Sequence, residues 1–161
     1  LKRFLRSLEE SPFMKTISLE SISLEAAAQI AGQALAHARS QNMTPIAVAV
    51  LDLRGTLKAY LAEDGTSLLR FDIAFGKAWG SLGMGFGTRK LTERNARIPQ
   101  FTNALQAMTG GKMVPVPGGV LIRNEHGALL GAVGISGETS DNDELCAVQG
   151  IQATGFVADT Q

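Results

Sequence analysis

The stretch Pro115–Gly137, PVPGGVLIRNEHGALLGAVGISG, sets two strand-length apolar runs on either side of Asn-Glu-His-Gly. Runs of Val, Leu and Ile separated by turn-forming residues form a β-hairpin. A second unit of the same kind comes earlier. PIAVAVLD is almost wholly apolar, LRG turns the chain, and TLKAYLA alternates, with Thr56, Lys58 and Tyr60 on one face and Leu57, Ala59 and Leu61 on the other. A continuous apolar run reads as a strand buried on both faces, and an alternating one as a strand with a wetter face. Hairpins join antiparallel neighbours, whereas parallel neighbours need a long crossover. The sheet is therefore expected to be antiparallel.

Helical periods fill the spaces between. In SLEAAAQIAGQALAHARSQN, Ser23 is placed to cap, and Leu24, Ala27, Ala28, Ala31, Leu35 and Ala38 recur three and four apart, so a neighbour can approach closely over alanine. SLLRFDIAFGKAWGSLG places Phe71, Phe75 and Trp79 on one stripe, with Ala74, Ala78 and Leu82 beside it and Arg70 and Lys77 at its margin. Gly76 and Gly80 each cost that helix about 1 kcal/mol against alanine, which calls for a packing reason. TRKLTERNARIPQFTNALQAMTGG reads as one or two short helices broken near Pro99 and stopped at Gly110. SDNDELCAVQGIQATGFVAD reads as a C-terminal helix with Ser140 and Asp143 in a capping box. The order helix, hairpin, helices, hairpin, helix is that of an α+β domain.

The glycines raise the question of a phosphate loop. GAVGISG spaces them three apart inside a strand, and GMGFGTRK has neither a dinucleotide fingerprint nor the Gly-Lys-Ser/Thr of a P-loop. Gly118 and Gly119 are better read as permitting a positive-φ turn, and Gly131 and Gly134 as allowing close backbone approach or a bulge. GISGE carries Glu138 where a nucleophile elbow needs glycine. The acidic run Asp141–Glu144 lacks the spacing of a calcium loop and suits a helix start.

Fifteen basic residues balance fifteen acidic ones, which argues against a nucleic-acid surface or a polybasic membrane anchor. No apolar run approaches the length of a membrane span. The lone Cys146 excludes an intramolecular disulfide and a cysteine-built zinc site, in keeping with a reducing compartment. Met14 followed by KTISLE has the look of a natural start, and the segment before it lacks the apolar core of a secretory signal. The expected organisation is an N-terminal extension over 1–21 and one domain over 22–158, in the cytoplasm.

Two histidines carry the metal question. His126 falls in the hairpin turn, where solvation is the default. His37 falls near the end of the first helix, where its charge also suits the dipole. Either type of side chain ligates iron, and without a C-x-x-C-H motif any haem is held non-covalently. Lys77, beside an apolar face, has to snorkel, pair with an acid or meet an anionic ligand. Asp52 at the first hairpin turn and Asp64 after the second strand are candidate partners.

From Ile22 to Phe156 the chain resembles the GlcG/HbpS family, which includes the C-terminal domain of PduO-type proteins. The resemblance rests on VAVLDLRG, EDGTS, DIAFGKA, Thr88 with Leu91, TGGKMVPVPGG, GALLGAVGISG and DNDELCAVQGI in that order. Trp79, Gly80, Met84 and Leu121 depart from the pattern. The resemblance implies a profilin-like α-β-α fold with a five-stranded antiparallel sheet, assembly into dimers or larger oligomers, and non-covalent haem or tetrapyrrole binding in some members. Other members are encoded with catabolic genes.

Two functions of different class follow as expectations. The first is a small oligomeric binding protein for a planar anionic ligand, with haem foremost, and an accessory place in a catabolic pathway. Phe71, Phe75, Trp79 and Met84 supply an apolar slot, Arg70, Lys77 and Arg89 supply charge, and His37 ligates the iron. The second is an enzyme acting on a small catabolic acid or aldehyde, with Lys77 and Asp52 or Asp64 as acid–base groups. A third reading makes the apolar helix faces a contact for another protein.

Overall fold

The structure is a computed structural model describing residues 16–161. The start assigned to Met14 and the segment before it lie outside the described residues. The chain runs α1 (Leu24–Ser40), β1 (Ala47–Asp52), β2 (Leu57–Ala62), α2 (Arg70–Met84), α3 (Thr88–Arg97), α4 (Pro99–Met108), β3 (Gly119–Arg123), β4 (Leu129–Ser136), α5 (Ser140–Gln152) and β5 (Val157–Asp159). The strands form one antiparallel sheet in the order β2-β1-β4-β3-β5.

Both hairpins form as their apolar patterns require. β1 sits between β2 and β4 and is buried along its whole length, which explains its unbroken run of apolar residues. β2 is an edge strand and correspondingly mixed in exposure. Period-two alternation divides the sheet between two helical layers. Val48, Val50, Val120, Ile122, Val133 and Ile135 join α1 and α5 in one core, while Leu51, Leu121 and Ala132 meet Ala78 of α2 on the other side. The α1–α5 contact is close because it is made of small residues. A Cβ on Gly150 would stand 2.7 Å from the Ile30 carbonyl oxygen.

The helix glycines have their packing reason. Residues 112–114 cross over α2, and the Val114 N–H donates to the Gly76 carbonyl at 3.2 Å. A Cβ on Gly76 would meet Val114 Cγ2 at 2.7 Å, and one on Gly80 would meet Met113 Cγ at 2.7 Å. The strand glycines serve the same end from the other side. Gly134 lies flat beneath the Ala74 carbonyl, so α2 rides directly on the sheet backbone.

Two local expectations are corrected. The cap of α5 is Thr139, not Ser140: its hydroxyl accepts the Asn142 N–H at 3.3 Å. The C-terminal helix stops at Gln152. Gly155 then takes φ +83°, and the remaining residues form β5 on the edge of β3. A three-residue strand has no period to announce it.

Candidate functional site

The N-terminal half of α2 and the crossing segment enclose an apolar groove of about 490 Å³, lined by Leu69, Phe71, Asp72, Ile73, Phe75, Gly110, Gly111, Lys112 and Val114. It exists because Gly110 and Gly111 both adopt positive φ, at +63° and +77°, and so turn the chain from α4 back across α2. Phe71 is fixed at its back edge-on to Tyr60, with ring centroids 4.9 Å apart, and tilts against Phe75 at 5.9 Å. The cation of the groove is Lys112, whose Nζ stands 4.9 Å over the Trp79 ring.

Lys77 lies elsewhere. Its side chain is 2 % exposed and its Nζ donates to Asp143 Oδ2 at 2.8 Å, an ion pair in which the carboxylate is also 2 % exposed. Asp143 Oδ1 accepts the Glu138 N–H at 3.1 Å. The pair ties α2, in one helical layer, to the start of α5, in the other. The double glycine leaves room for it. Gly118, at φ +116°, would place a Cβ 2.8 Å from Lys77 Nζ, and Gly119 would place one 2.6 Å from Ser81 Oγ. Thr88 Oγ1 accepts the Gly119 N–H at 2.8 Å and closes the turn. Burial pushes the Lys77 ammonium below its ordinary pKa and the Asp143 carboxyl above its own, while their mutual attraction opposes both shifts.

The partner expected for Lys77 is corrected by this geometry. Asp52 instead closes its own hairpin, with Oδ1 accepting the Arg54 and Thr56 N–H groups at 2.9 and 3.0 Å, and Asp64 is exposed. For Asp52, burial works to raise the pKa, but the bonds from Thr56 and Arg54 together outweigh it and hold the carboxyl below its usual value. Asp143, read from the sequence as a capping residue, is the real counterion.

The residues expected to form one ligand site are dispersed. Phe71 and Phe75 line the groove. Trp79 sits farther along α2 under Lys112 and against Gly55, and Met84 ends the helix. Arg70 donates to Ser136 Oγ at 3.1 Å. Arg89 is held by Asp141 at 2.5 Å and Glu144 at 2.7 Å, and those bonds raise its pKa further. His37 lies on α1, across the sheet from α2, so the iron donor and the aromatic slot do not meet within one chain. Its Nε2 is buried with no hydrogen-bond partner. Among the described residues no three His, Cys, Asp or Glu side chains converge to hold a metal ion, and no helix is long and apolar enough to cross a membrane.

The chemistry of the groove matches haem in part. Phe71, Ile73, Phe75 and Val114 match an apolar macrocycle, and Lys112 matches a carboxylate arm. No His, Cys or Met lines it, so it offers an apolar slot and a cation without the usual axial donors. Lys112 was missed by sequence reasoning. Its signal was the GGK turn, whose positive-φ glycines fold a lysine back over a helix.

Comparison with known proteins gives these residues a context. A family model described as "Haem degrading protein HbpS-like" matches residues 22–152. A 15.0 kDa protein of Citrobacter freundii from the dhaT-dhaS intergenic region is 29 % identical over 133 residues, spanning 83 % of this chain and 92 % of that one. Among solved structures, Klebsiella pneumoniae protein ORFY superposes with a TM-score of 0.80 at 26 % identity, covering 90 % of this chain and 98 % of that one. The PduOC:heme complex does so with a TM-score of 0.74 at 25 % identity, covering 84 % and 96 %.

Proposed function

This chain belongs to the HbpS-like family, and on that premise we propose that it is a haem-binding protein whose ligand is seated in the groove between α2 and residues 110–114. The observation that carries the reading is the groove itself, a preformed apolar slot with Phe71 and Phe75 on its wall and Lys112 at its side. The aromatic rings would hold the macrocycle, and Lys112 would take a propionate. Bound haem supplies a redox-active iron. The haem complex of a structural relative supports the ligand class.

Assembly into oligomers forms part of the same reading. Leu57, Tyr60 and Leu61 on the edge strand β2, with Leu68 and Leu69 beyond it, are exposed, and an open apolar edge favours association. Light scattering coupled to gel filtration is expected to report a species larger than 17.0 kDa. The enzyme reading is less well supported: Lys77, its acid–base candidate, lines neither this groove nor the hairpin turn of Asp52, and its ammonium is engaged by Asp143.

The test is a haem titration followed at the Soret band. Saturable binding is expected at micromolar protein, weakened about tenfold or more by Phe75→Ala and by Lys112→Ala. An unshifted Soret band removes the haem reading. A shift that survives both substitutions but is lost in His37→Ala moves the seat to the α1 layer.

A further inference from the structure

A second concave site lies away from this groove and shares no residue with it. α3 ends at Arg97 and α4 starts at Pro99, with Ile98 between them at φ −139°. The inner side of α3 is locked: Leu91 is fully buried, and Thr92 Oγ1 donates toward the Thr88 and Pro115 carbonyls at 2.9 and 3.0 Å. Its outer side carries Lys90, Arg94 and Arg97, spaced four and then three residues apart and so on one face. With Phe86, Glu93 and Ile98 they line a groove of about 430 Å³.

Two of these cations are positioned by aromatic rings. Lys90 Nζ stands 5.5 Å over the Phe86 ring, and the Arg94 guanidinium stands 4.6 Å over Phe101 from α4. A guanidinium resting on a ring keeps its N–H edge available for two parallel bonds to an oxyanion. Among the described residues, none of Lys90, Arg94 and Arg97 makes a salt bridge, whereas Arg39, Arg54, Arg89 and Arg123 each do. The negative end of the α3 dipole accounts for Arg94 and Arg97 in the last turn. It does not account for Lys90 a turn earlier, nor for the concavity that all three share. Glu93 is the one acid in the lining, leaving the groove a formal excess of two positive charges, three cations against one carboxylate.

We propose that the groove along the outer face of α3, between Phe86 and Ile98, binds a small molecule carrying two or more adjacent oxyanion groups, phosphate or carboxylate, with Arg94 and Arg97 as principal ligands and Lys90 as a third. Such a ligand satisfies unpaired cations already held on a rigid helix, so little ordering is required on binding. This site stands whether or not haem occupies the groove on α2.

The experiment is calorimetric titration of the full chain with inorganic pyrophosphate and, in a parallel arm, with citrate, at low salt. One saturable site is expected for at least one probe, and the stronger probe assigns phosphate or carboxylate. Arg94→Ala combined with Arg97→Ala should weaken it at least about tenfold, since each supplies a charge-assisted bond. Glu93→Gln should strengthen it by removing the like charge, and Lys112→Ala should leave it unchanged. All four positions are exposed or on the surface, so unchanged circular dichroism is expected of every variant. No saturable heat with either probe up to about 10 mM overturns the proposal, as does equal affinity in the double arginine variant, or failure of Glu93→Gln to strengthen binding.

Discussion

Lys77→Met removes one half of the buried ion pair and leaves the other in place. At 2.8 Å, the attraction in an effective dielectric of 20 is about 6 kcal/mol, and most of it is offset by the cost of taking both charges out of water. What the substitution exposes is the uncompensated part: an Asp143 carboxylate, 2 % exposed, facing a methionine. Breaking such a pair from one side costs about 3–5 kcal/mol. The sign of the pH dependence follows. Burial without a counterion raises the carboxyl further above its ordinary 3.8, so the folded variant binds a proton more tightly than the unfolded chain. Its stability is then greatest at low pH and falls as pH rises through that window. The penalty relative to wild type should therefore be larger at pH 7 than near pH 4. Urea unfolding followed by the single tryptophan, Trp79, reads both values. Replacing both partners, Lys77→Met with Asp143→Leu, should recover most of the loss, because the pair then gives way to an apolar contact. A cost under about 0.5 kcal/mol for Lys77→Met, the range of ordinary surface changes, would refute the reasoning. So would a double variant as unstable as the sum of its parts.

Gly134→Ala forces a methyl group into the Ala74 carbonyl and the backbone of α2; a loss of about 3 kcal/mol or more in denaturant unfolding is expected, from overpacking that no rotamer relieves. Cys146 is buried, and burial pushes its thiol up to about 11 from 9.0. Thiol-reactive dye at pH 8 should therefore label it only after unfolding, and rapid labelling of the native protein would contradict its placement.

The architecture was legible wherever one physical signal dominated. The unbroken apolar run of β1 gave a strand buried on both faces, and it is found; β2 pairs with it as a hairpin, but the alternation is not kept in exposure, since Leu57 and Leu61 lie open on the sheet edge. The alanine face of α1 announced a closely approaching neighbour, and α5 is one. Mid-helix Gly76 and Gly80 called for a packing reason of unstated kind, and the crossing residues 112–114 provide it. Signals failed where the deciding partner is remote in sequence. Asp143 has the position of a helix-start carboxylate, and nothing local shows that Lys77, 66 residues away, will meet it. β5 is three residues held by pairing with β3, and its pattern is too short to have a period. The candidate site side chains were legible by type but not by direction: α2 sends Phe75 to a groove, while Lys77, two residues on, turns inward to pair with Asp143.

That divergence on α2 separates a closed, packed cluster from an open groove. DIAFGKA, VPVPGG and DNDEL, distant along the sequence, converge on Lys77, Gly118, Gly119 and Asp143, where every group is buried and partnered or pressed against a neighbour. This cluster is closed to solvent. It fixes the angle of α2 against both the sheet and α5, and through α2 it sets the distance between Phe71, Phe75 and the Gly110–Lys112 turn. The groove is then shaped by glycines outside its lining: Gly76 and Gly80 let the crossing segment approach, and Gly134 lets α2 sit low on β4. In the two proposals made above, recognition would fall to exposed side chains on this scaffold, Lys112 over Trp79 and Arg94 over Phe101. Each is a cation posed on an aromatic ring, and substitutions there should alter binding with little effect on folding, whereas substitutions at the glycines or at Lys77 should do the reverse.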